Sequence, residues 1–67
     1  MVIHVDDKRA EEIAVTFLRQ NYSVIRIEKS KLVNKIWVVE VLVSSFDNQA
    51  MKKVMIENKT GSIVKVE

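Results

Sequence analysis

The chain has 67 residues, 48% of them apolar and 30% charged, with a net charge of +2, one histidine and no cysteine. That balance fits one small folded domain with no signal of disorder, and the lack of cysteine excludes a disulfide framework and a thiolate metal site. A domain of this size buries only about 60% of the surface its unfolded chain exposes, so self-association is a common remedy for the small core.

No apolar run reaches the ~18 residues that a membrane-crossing helix needs. Residues 1–7 carry neither a basic start nor a long apolar stretch, so they do not read as a signal peptide. The expectation is a cytoplasmic protein, and a mature fragment of a secreted precursor would read the same way.

In chain order, Val2 to Val5 is a short β-branched run suited to an edge strand. Asp6 or Asp7 then offers a helix N-cap, because a carboxylate accepts the orphan amides of a first turn. Ala10, Ile13, Ala14, Phe17 and Leu18 fill positions i, i+3, i+4, i+7 and i+8, which predicts an amphipathic helix over 7–21. Asn21 is its expected left-handed C-cap. A strand follows over 24–28, with Ile25 and Ile27 on one face and Val24, Arg26 and Glu28 on the other. Asn34-Lys35 can turn a hairpin, since Asn tolerates a positive φ.

The stretch 36–43 is the central strand. Trp37, Val39, Val41 and Val43 make one apolar face, expected to meet the helix at Ile13, Phe17 and Leu18. Ile36, Val38, Glu40 and Leu42 make the other. A polar turn is expected over 44–49, centred on Asp47-Asn48. A strand over 51–57 should send Val54 and Ile56 inward and Lys53, Met55 and Glu57 outward. Asn58-Lys59-Thr60-Gly61 is the best turn in the chain and places the only glycine where a left-handed residue is needed. A last strand over 62–66 should turn Val64 and Val66 inward. The fold class is therefore α+β: one amphipathic helix on a three- to five-stranded antiparallel meander, in two layers.

Three pieces of this order are distinctive: the helix opening Ala10-Glu11-Glu12-Ile13-Ala14, the strand Trp37-x-Val39-x-Val41, and the hairpin from Val54 to Val64 with Thr60-Gly61 at its turn. Together they resemble the PepSY domains, small modules of metallopeptidase propeptides and of many secreted and membrane proteins. Trp37 stands where that family usually has Tyr, and Glu57-Asn58 departs from its usual Ile-Asp spacing. The resemblance implies a protein-binding or inhibitory module without catalytic residues of its own.

The residues themselves offer little chemistry. His4 beside Asp6 and Asp7 has the atoms of a metal site, but helix capping accounts for the two aspartates. The serines and threonines have no base to pair with, and one glycine cannot build a phosphate loop. No cofactor, metal or small-molecule substrate is expected, and the chain does not read as an enzyme.

Two surfaces remain. Lys29, Lys31 and Lys35, with Lys52, Lys53, Lys59 and Lys65 on neighbouring strands, suggest a small nucleic-acid-binding protein as the alternative function. The outer sheet face is the sharper feature. Ile36, Val38, Leu42, Met55 and Ile63, with Glu40 among them, are expected to form an interface with a protein partner or a second copy, because a monomer rarely exposes so large an apolar patch. Glu40 there is either a charge that keeps an open face from sticking, or half of an ion pair to Lys53 or Arg26 across the interface.

Overall fold

The computed structural model describes residues 5–67. Helix α1 (Asp7–Leu18) is followed by strands β1 (Ser23–Val33), β2 (Ile36–Ser45), β3 (Asn48–Glu57) and β4 (Ile63–Val66). The strands form one antiparallel sheet in the order β1-β2-β3-β4, and the helix lies on one side of it. The α+β class thus holds, with four strands among the described residues. Most of the expected strand over 2–5, and His4 with it, lies outside those residues.

Asp6 caps α1 by accepting the Arg9 N–H at 2.8 Å, and Asp7 adds negative charge to the first turn. The helix ends at Leu18, three residues before the expected boundary. Asn21 does not take the left-handed conformation foreseen for it. Instead the N–H groups of Asn21 and Tyr22 both donate to the Leu18 carbonyl, at 3.1 and 2.9 Å, which closes the helix without a left-handed residue.

Ala10 and Ala14 are completely buried, and their small side chains let the helix sit close on the sheet. Leu18, Val39, Val41, Val43, Val54 and Ile56 supply the large fully buried side chains, each stabilising by roughly 1.5–3 kcal/mol. Ile13, Phe17, Trp37, Val24 and Ile27 pack around this centre. The helix-facing set of β2 is therefore the one its alternation predicts.

Both inner hairpins turn in two residues. Val33 pairs with Ile36 across Asn34-Lys35, and Ser45 pairs with Asn48 across Phe46-Asp47. Asn34 and Lys35 both have positive φ, 51° and 66°, the backbone of a type I′ turn that matches sheet twist. The second turn is shorter than the polar loop expected over 44–49, because strand pairing continues to Ser45 and Asn48 and absorbs the polar residues. In the last hairpin Gly61 has φ 78°, and an added Cβ would lie 3.3 Å from Ile13 Cδ1.

Two expected side-chain alternations fail, and β-bulges are the cause. Irregularities between Val24 and Arg26 and between Ile27 and Lys29 put Val24 and Ile27 together on the core and leave Ile25 exposed. In β4, Ile56 pairs with Ile63 and Met55 with Lys65, so Val64 is the extra residue and is 59% exposed. Ile63 accordingly packs against the core on the helix side, beside Ile13 and Phe17. It does not belong to the outer face.

Trp37 ties the far end together. Its Nε1–H donates to the Val5 carbonyl at 2.6 Å and to Asn58 Oδ1 at 3.1 Å, while the Val5 N–H donates to the Asn58 carbonyl at 2.8 Å. Asn58 also donates its N–H to the Lys35 carbonyl at 3.0 Å, joining the two hairpins. Trp37→Phe removes the donor together with the second ring of the indole, and is expected to lower stability by at least about 1–2 kcal/mol in urea unfolding. An unchanged midpoint would show that the indole N–H carries no stability. Lys35→Gly relieves a side chain from the left-handed region and is expected to raise stability by roughly 0.5–1 kcal/mol, read as a higher Tm.

Candidate functional site

One helix covers one face of the sheet, and the other face has no covering element among the described residues. Strand register decides which side chains share that outer face. Ile36, Val38, Glu40 and Leu42 of β2 lie opposite Glu57, Met55, Lys53 and Met51 of β3. On the other side they meet Val33, Lys31, Lys29 and Arg26 of β1. Five of the six residues named from the sequence, Ile36, Val38, Glu40, Leu42 and Met55, are brought together here and are half-buried. Ile63 is the one that is not. Met51, 47% exposed, completes the set and was not foreseen as a member.

The face is a sequence of cross-strand rows. Val38 and Met55 form an apolar pair flanked by Lys31 and Lys65. Leu42 and Met51 form another, flanked by Arg26. Between them runs a charged row. Lys29 pairs with Glu40, Glu40 with Lys53, and Lys53 with Glu67 through two backbone hydrogen bonds of 2.8 and 2.9 Å. Opposite charges beside one another on one sheet face stabilise the pairing by roughly 0.2–1 kcal/mol each.

At the β4 edge Lys65 Nζ lies 2.9 Å from Glu67 Oε2. That hydrogen bond and the Lys65 charge hold the Glu67 carboxyl below the usual carboxylate range, with Lys53 adding to the effect. Arg26 forms an ion pair with Glu28, the extra residue of a bulge. No ion pair within 4 Å involves Lys29, Glu40 or Lys53 among the described residues.

The lysines divide between the two faces. Lys29, Lys31, Lys53 and Lys65 share the outer face, whereas Lys52 lies on the helix side with its ammonium 5.4 Å from the Tyr22 ring centroid. Trp37, the one large aromatic of the sheet, faces the helix layer and is engaged by its N–H. Elsewhere the described surface has open grooves along α1, lined by residues such as Arg9, Glu12 and Thr16, and another between the 19–23 turn and Ser44 to Phe46. Asp6 and Asp7 accept backbone N–H groups at the helix start. Among the described residues no polar or charged side chain is buried, and no three metal-ligating groups converge. No helix among the described residues is long and apolar enough to cross a membrane. In comparisons with family models, curated proteins and solved structures, nothing matches the chain.

Proposed function

We propose that the chain is a non-enzymatic protein-interaction module of PepSY-like kind, which binds through the outer face of its sheet and associates with a second copy of itself. The uncovered apolar set on the two central strands carries this reading: Val38, Leu42, Met51 and Met55, bordered by Ile36. An aqueous surface has no use for so many aligned apolar side chains, whereas a protein partner gains from covering them. The small core adds weight, since a second copy would remove more apolar surface from water than a chain of this size can bury alone. The resemblance to PepSY modules points the same way, toward binding without chemistry.

Association is expected to show as a rise in light-scattering mass from 7.7 kDa toward twice that value as concentration increases into the millimolar range. Leu42→Asp should hold the protein at the single-chain mass with its circular dichroism unchanged. A monomer at every concentration, with Leu42→Asp altering neither solubility nor stability, would refute the reading.

The nucleic-acid alternative draws on Arg26, Lys29, Lys31, Lys53 and Lys65, which share the same face. Glu40, Glu57 and Glu67 stand among them and cancel much of the field a phosphate backbone would feel. No retention of single- or double-stranded nucleic acid is expected at about 50 mM salt, where an electrostatic binder holds most tightly. Retention lost steeply by about 200 mM would favour the alternative.

A further inference from the structure

We infer that the second copy docks in one orientation, set by the charged row, with the two-fold axis parallel to the strands and midway between β2 and β3. The inference rests on the outer face being the interface. Read across the sheet, the row is Lys29, Glu40, Lys53, Glu67, alternating positive and negative over β1, β2, β3 and the residue that follows β4. Such a row is antisymmetric about its midpoint: rotation about an axis along the strands reverses its order and places every charge over one of opposite sign. Glu40 then faces Lys53 of the second copy, Lys53 faces its Glu40, and Lys29 faces its Glu67.

The apolar rows follow the same rotation, which also sets Lys31 over Lys65 of the second copy at the rim of the face, where Glu67 of each chain pairs with its own Lys65. Val38 comes over Met55 of the second copy and Leu42 over its Met51, so apolar meets apolar on both sides of the charges. The other simple two-fold axis, running along the charged row itself, fails. It sets Glu40 against Glu40 and Lys53 against Lys53, and like charges juxtaposed in an interface are strongly unfavourable. Face-packed sheets lie about 10 Å apart, a gap that lysine and glutamate tips from both sides can span. The strands of the two copies would stay within about 30° of one another, as in aligned sandwiches.

The apolar pairs supply the attraction, and the charges select the register. Desolvating an ion pair offsets much of its Coulomb gain, so the row discriminates between orientations more than it adds affinity. From strand spacing the face measures about 19 by 27 Å, roughly 500 Å² in plane, which is small for a permanent dimer and suits a reversible one.

Charge reversal tests the orientation. Glu40→Lys and Lys53→Glu should each weaken self-association by about tenfold or more, because each places like charges across both symmetric contacts. An equimolar mixture of the two variants should associate as a heterodimer with about the wild-type affinity, since both contacts again join opposite signs. Each chain in that mixture still carries its own like-charge neighbours, so recovery cannot come from repair within a chain. Sedimentation velocity and native mass spectrometry would distinguish the mixed dimer from either homodimer. The pair Lys29→Glu and Glu67→Lys, mixed in the same way, serves if either central variant fails to fold. If the wild type dimerises and Leu42→Asp abolishes it, but mixing restores nothing, the orientation is overturned and the outer-face reading stands. If the single reversals leave the dimer unchanged, the orientation is likewise overturned. A wild type that stays monomeric removes both.

Discussion

A single short helix has to close the core of a four-stranded sheet, and that mismatch shapes the molecule. Twelve residues of α1 lie over the middle of the meander, and Ala10 and Ala14 bring the helix axis near enough for Val39, Val41, Val43, Val54 and Ile56 to lose all contact with water. Larger residues at the two alanine positions would lift the helix and open the layer between. With α1 committed to one face, no other described element covers the second. The sheet therefore has a dry side made by the fold and a side that no described element covers.

The end of the sheet farthest from the Phe46-Asp47 turn is held by hydrogen bonds more than by burial. Trp37, Asn58, Val5 and Lys35 form one connected set that links the residues before the helix to the first and last hairpins. Ser30 adds a tie between β1 and the helix by donating to Glu11 Oε2 at 2.8 Å. Such ties matter in a small domain, where total stability is only a few kcal/mol and each satisfied polar group is a visible fraction of it.

Much of this was legible in the sequence because its signals were periodic. The i, i+3, i+4 spacing from Ala10 to Leu18 marked the helix, and strict alternation in 36–43 separated the two faces of β2 without error. Asn34-Lys35 and Asn58 to Gly61 marked two turns by residues that accept a positive φ. What escaped was local irregularity. Bulges carry no residue signature here, so Ile25, Ile63 and Val64 were placed on the wrong sides. Phe46 is an improbable turn residue, fully exposed with φ 56°, and its place follows from the pairing of Ser45 with Asn48. The charged row was hidden for a similar reason. Lys29, Glu40, Lys53 and Glu67 are far apart in the chain, and only the register of three strand pairs sets them side by side.

The central claim is that the two faces of β2 have different fates, one dry within the chain and one dry only against a partner. Paramagnetic relaxation by a soluble cosolute, read at the valine and leucine methyl groups, separates the two most directly. In dilute solution the methyls of Val38 and Leu42 should be strongly relaxed, and they should become protected as concentration rises, while Val39 and Val41 stay protected throughout. Methyls of Val38 and Leu42 that remain equally relaxed at every concentration would contradict the account.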